Sequence, residues 1–146
     1  MTLSVFDTDV LTEILAGSRE FVARLALVPV AERATTVVTI EEILAGRMAD
    51  VRRAESRGKP PLLWAYERLW STFTDLRRLA ILPYDDNAHA RYREVRPLVK
   101  GKVGVHDLRV AAIAISVGAK VVTRNRQDFR LIPGLNVEFW PGGQAH

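Results

Sequence analysis

Apolar and polar positions along this chain come in blocks whose spacing alternates between the two-residue period of a strand and the three- and four-residue steps of a helix. Leu3, Val5 and Phe6 lead into Asp7 and read as a short buried strand. Asp9 or a neighbour opens a helix ending near Gly17. Ser18 is placed to cap a second helix, Arg19 to Leu27, which Pro29 stops. Thr35 to Thr39 is β-branched throughout and predicts a second strand. A helix follows, with Ile40, Ile43, Leu44 and Met48 on one side, until Lys59-Pro60-Pro61 breaks it. Leu62, Tyr66, Leu69, Trp70, Phe73 and Leu76 recur at helical steps, so the next helix is predicted over Leu62 to Leu79. Ala80 to Leu82 reads as a third strand. Asp85 or Asp86 caps a helix lasting to about Val99. After the glycine-containing loop Gly101 to Val105 comes an apolar helix, Asp107 to Val117, ended by Gly118. Lys120 to Thr123 and Asn136 to Phe139 are the last two strands, and a loose tail begins at about residue 141.

Strands alternating with helices predict an α/β fold with a mainly parallel sheet covered on both faces. With 146 residues and no linker, one domain over 1–146 is expected. Zero cysteines exclude disulfides, thiolate metal sites and a cysteine nucleophile. No apolar run approaches the roughly 20 residues of a membrane helix. The opening MTLSVFDTDVL lacks the cationic start of a secretory leader. A cytoplasmic protein with no membrane association is the expectation. The net charge of +4 mildly favours a polyanionic partner. Its basic residues cluster in Arg47, Arg52, Arg53, Arg57 and Lys59, and again in Arg91, Arg93, Arg96, Lys100 and Lys102.

In open parallel sheets the ligand site lies beyond the carboxyl ends of the strands. The polar residues following each apolar run are therefore the candidates. These are Asp7 and Asp9; Thr39 and Glu42; His106 and Asp107; Thr123, Asn125 and Asp128. Clustered carboxylates repel unless neutralised, and Mg²⁺ or Mn²⁺ prefers such oxygen ligands. Each acid also has a plain structural reading. Thr39 to Glu42 fits a capping box, Asp107 a helix cap, and Asp128 a turn. Asp7 is harder to explain that way, because a carboxylate directly after a buried strand is costly unless paired. Trp64, Tyr66, Trp70 and Phe73 read as core or interface rather than a base-stacking platform.

Four blocks of the chain resemble those of the PIN-domain nucleases. Val5 to Leu11 is similar to their "hhDTNhL" opening, Thr39 to Gly46 to "hTxxEhxxG", Asp107 to Ala114 to "DxxIAAxA", and Val121 to Phe129 to "LVTxNxxDF". The VapC-type toxins of toxin–antitoxin pairs are the most similar subgroup. The resemblance implies a three-layer α/β/α sandwich with a five-stranded parallel sheet and Mg²⁺- or Mn²⁺-dependent endoribonuclease activity. By motif position Asp7, Glu42 and Asp107 match the family's metal-binding acids. Asp128 stands as a further ligand or a water-mediated one, with Thr8, Asp9, Thr123 and Asn125 as support. Asp9 replaces the family's commoner asparagine. Arg47, Arg52, Lys100 and Lys102 are the candidates for holding the RNA backbone. The resemblance also implies a homodimer held inactive by an antitoxin.

Two rival enzymes or modules share parts of this pattern. Asp7-Thr8-Asp9 echoes the D-x-D of haloacid-dehalogenase-like phosphatases, although Val10 replaces their glycine and no late G-D-x-x-x-D follows. A receiver-like signalling domain would need a lysine after a late strand, whereas Lys120 precedes one. A catalytically degenerate PIN domain acting only as a binding module is the third alternative.

Overall fold

The computed structural model describes residues 1–142. Five parallel strands, β1 (Ser4–Phe6), β2 (Arg33–Thr36), β3 (Ala80–Leu82), β4 (Lys120–Thr123) and β5 (Asn136–Phe139), lie in the order β3-β2-β1-β4-β5. Between them run α1 (Thr8–Leu15), α2 (Arg19–Ala26), α3 (Val37–Arg57), α4 (Leu62–Leu76), α5 (Asp86–Val99), α6 (Val105–Val117) and the single turn α7 (Arg126–Phe129). Central strands buried on both faces send successive side chains into opposite layers. Val5 and Val121 join a core with α5 and α6, while Phe6 and Val122 join Phe21, Ile43 and Leu76 on the other face. The result is the expected three-layer α/β/α sandwich. α6 is buried along Leu108 and Val110 to Ala114, and its αL end at Gly118 needs the positive φ of 68° that glycine tolerates. The tail predicted from about residue 141 lies, from 143 onward, outside the described residues.

Several element boundaries differ from the sequence expectation, each for a local reason. The second strand ends at Thr36 rather than Thr39, because the Thr36 hydroxyl accepts the Thr39 amide at 3.1 Å and starts α3 there. A helix cap plus the burial of Val38 and Thr39 overrides the β-branched run. The capping box expected from Thr39 to Glu42 is thereby displaced. Asp7, not Asp9, caps α1. α6 begins two residues before Asp107, so Asp107 sits in its first turn rather than capping it. α4 ends at Leu76, three residues early. Met48 is 43% exposed instead of packed with Ile43.

The aromatic stripe of α4 departs furthest. Its buried face is Ala65, Thr72 and Leu76, with Leu69 half-buried, and it packs on Val51 and Ala54 of α3. Trp70 is 70% exposed, and Tyr66, Phe73 and Trp64 also face outward. The small residues Ala65 and Thr72 face inward, and the larger aromatic ones stay outside.

Candidate functional site

The strand order places β1 beside β4, and the chain leaves these two strands toward opposite edges of the sheet. Their carboxyl ends therefore border the crevice where such sheets bind ligands. Asp7 closes β1 there and is only 5% exposed. One carboxylate oxygen accepts the Val10 amide at 3.0 Å, capping α1. The other accepts the Thr123 hydroxyl at 2.5 Å, across the β1–β4 junction. The Thr123 hydroxyl in turn accepts the Asn125 amide at 2.8 Å. Asn125 caps α7 and its Nδ2 donates to Asp128 Oδ2 at 2.8 Å. One hydrogen-bonded chain thus links Asp7 to Asp128, and a helical turn rather than an open loop carries Asp128 back.

On the other side of the crevice, Glu42 lies in the second turn of α3, where the Thr8 hydroxyl donates to its Oε1 at 3.0 Å. That bond replaces the capping role the sequence allowed. His106 stands between two acids, with Nδ1 at 3.9 Å from Glu42 and Nε2 at 3.8 Å from Glu41. Asp107 follows it in the first turn of α6, half-buried, and Asp9 is exposed on α1.

Burial pushes the Asp7 carboxyl up to about 7, against the opposing pull of its Thr123 and Val10 hydrogen bonds. The charges of Asp9 and Asp107 add to the rise. Asp107 is pushed up to about 6, first by burial, then by the charges of Glu42, Asp128 and Asp9, with His106 opposing. Five carboxylates therefore feel one another electrostatically, brought from α1, α3, α6 and α7 to one sheet edge. Among the described residues, no three of them stand grouped as ligands around a common point. The donor set is nonetheless wholly carboxylate and hydroxyl oxygen, which suits a hard cation such as Mg²⁺ or Mn²⁺.

The basic candidates separate. Lys100 and Lys102 are exposed in the turn leading to α6. Arg47 instead donates to the Thr72 hydroxyl of α4 at 2.9 Å, and burial holds its pKa down. Arg52 lies about 15 Å further along α3 than Glu42, at 1.5 Å rise per residue. Sequence reasoning missed Glu13 and Arg124, a pair 3.3 Å apart that ties α1 to the residue following β4. Glu13 is 4% exposed. Its place on the apolar face with Val10 was the available signal, as was the position of Arg124 between Thr123 and Asn125.

The family profile of the PIN domain matches residues 4–135. The tRNA(fMet)-specific endonuclease VapC of Salmonella typhimurium is 37% identical over 68 residues, which are 44% of this chain and 52% of that protein. Ribonuclease VapC2 of Rickettsia felis is 35% identical over 68 residues, 44% of this chain and 51% of that protein. The match thus spans about half the length of these curated relatives. Among solved structures, DNA-bound VapBC from Salmonella typhimurium superposes with a TM-score of 0.77 at 25% identity, covering 96% of this chain and 99% of that one. VapBC2 from Rickettsia felis, bound to a DNA fragment from its promoter, superposes at 0.75 and 22% identity over 95% and 99% of the two chains, a likeness of fold.

Proposed function

This chain belongs to the PIN domain family, and from that premise we propose that it is a VapC-type endoribonuclease, the toxin of a toxin–antitoxin pair, that hydrolyses RNA phosphodiester bonds with Mg²⁺ or Mn²⁺. The observation that carries the reading is the Asp7–Thr123 bond across the β1–β4 crevice, with Asp107 beside it under the charge of Glu42, Asp128 and Asp9. Asp7, Glu42 and Asp107 would hold the cation, with Asp128 beside them. A divalent cation held there would supply charge to activate a water and to offset the phosphate's negative charge. The remaining work is orientation by this chain's own groups. Thr123 fixes Asp7 by its hydroxyl, Thr8 fixes Glu42, and Asn125 fixes Asp128. Asp7 and Asp107 must both give up protons to serve as ligands, which their raised pKa values make a pH-dependent step.

The partners follow from the same relationship. VapBC-5 from Mycobacterium tuberculosis is a member of the VapBC family of toxin–antitoxin systems, and a toxin–antitoxin complex from Klebsiella pneumoniae is also similar in structure. The exposed aromatic face of α4 supports a protein partner here, as a second copy or an antitoxin. Cleavage of total RNA by purified protein, titrated with Mg²⁺ and Mn²⁺ and compared with Asp7→Asn and Asp107→Asn, tests the assignment. Metal-dependent cleavage lost in both variants is expected. A variant as fast as wild type at matched metal removes its residue from the site.

A further inference from the structure

Beside the acids, a cavity of about 350 Å³ opens where α3, α5 and α6 begin above the carboxyl ends of β2 and β3. Its walls include Tyr84, His89, Tyr92, Arg109, Glu41 and Val38. The His89 ring lies nearly parallel to Tyr92, at 11° with centroids 6.3 Å apart, and Tyr84 meets both edge-on. The Arg109 guanidinium sits 5.9 Å from the centre of the Tyr92 ring. The Tyr84 hydroxyl and His89 Nδ1 are 2.9 Å apart. With the phenol donating, the neutral imidazole carries its proton on Nε2, a donor suited to a base carbonyl or ring nitrogen. Glu41 supplies an acceptor of the kind that takes an exocyclic amine.

The cavity neighbours the acidic crevice along two helices. Glu41 of its lining precedes Glu42, His106 lies 3.8 Å and 3.9 Å from their carboxylates, and Arg109 of its lining lies two residues beyond Asp107 on α6. An RNA strand with its phosphate at the acids would therefore cross this cavity with a neighbouring nucleotide. Aromatic faces, an arginine and paired donor and acceptor groups are what an unstacked base requires. We propose that this cavity seats one nucleobase of single-stranded RNA next to the cleaved bond, and that Tyr84, His89 and Arg109 set which base is accepted. The proposal rests on the nuclease reading for the identity of the strand, but the cavity can be tested without cleavage.

The test is fluorescence anisotropy with short labelled single-stranded RNAs in EDTA, one intact and a set in which each position in turn lacks its base. Expected is a roughly tenfold loss of affinity for one abasic position, a similar loss for His89→Ala with the intact strand, and no further loss when the two are combined. His89→Phe, which keeps a stacking ring but loses the Nε2 donor and the Tyr84 contact, should fall between wild type and His89→Ala, and thermal melting confirms that each variant folds. Equal binding of intact and abasic strands, or wild-type affinity in His89→Ala, overturns the pocket even if the enzyme cleaves RNA. Base- and His89-dependent binding without cleavage under Mn²⁺ leaves the pocket standing and overturns the nuclease assignment instead.

Discussion

Asp7 caps a helix with one oxygen and takes a hydroxyl proton on the other, yet its charge is disfavoured by burial and by Asp9 and Asp107. Carrying its pKa from 3.8 to about 7 costs the ionised folded state on the order of 4 kcal/mol. The folded protein holds more protons than the unfolded chain between roughly pH 4 and pH 7, so stability falls as pH rises through that window. The same sign applies to Asp107 up to about 6. Asp7→Asn keeps an acceptor for the Val10 amide and removes the charge. Without metal it is expected to raise Tm by several degrees at pH 8, with the gain fading toward pH 4. A scan showing a constant difference across that range would remove the carboxyl as its cause. Asp128 is less tightly bound into the crevice, because it reaches the Asp7 end only through Asn125 and Thr123. Asp128→Ala should therefore slow cleavage less than Asp107→Ala, and Asn125→Ala should resemble Asp128→Ala. Equal and complete losses in the two aspartate variants would make Asp128 a direct ligand.

At the scale of elements, legibility depended on whether local and tertiary signals agreed. β4 and β5 fall where the sequence placed them, since apolar runs bounded by turns leave one solution. Asp7 was legible for the same reason, because it follows directly on β1, whereas Glu42, Asp107 and Asp128 sit on helices some residues from any strand end. The β2–α3 boundary was not, because Thr36 and Thr39 are equally good caps in sequence and only the packing of Val38 decides between them. Nor was the partition of α4. Helical spacing marks Tyr66, Trp70 and Phe73 as a stripe but does not say which side faces inward, and the neighbouring helix selected Ala65 and Thr72. The base cavity was hidden because the local pair Tyr84 and His89 at the start of α5 meets Arg109 of α6 and Glu41 of α3 only in the fold. If the exposed stripe is the dimer surface, Trp70→Glu should leave the monomer's own fold intact by circular dichroism, with Tm lowered only by the lost mass-action stabilisation of the dimer. It should also convert the protein to a monomer by sedimentation velocity. A variant that sediments like wild type removes this face of α4 from self-association.

The molecule as a whole carries +4 but concentrates five carboxylates where a polyanion would have to approach. Cations near the crevice must offset that repulsion before any metal-held phosphate contributes, and the two basic stretches are not equivalent in this respect. Arg47 is engaged with Thr72 and Arg52 is remote along α3, whereas Lys100 and Lys102 stand exposed in the turn directly before α6 and Asp107. Lys100 holds the left-handed φ of 52°, so a glutamine there changes its charge while the turn stays set by Gly101 beside it. Each phosphate neutralised on a single strand contributes about 0.7 to the slope of log affinity against log salt. Lys100→Gln combined with Lys102→Gln, each holding one phosphate, should therefore flatten that slope by about 1.4 and weaken RNA binding most at low salt. Arg52→Gln should leave both nearly unaltered. The reverse pattern, with the slope carried by Arg52, would place the strand along α3 rather than across the α5–α6 turn, and with it move the phosphate path away from the Glu41–His106 wall.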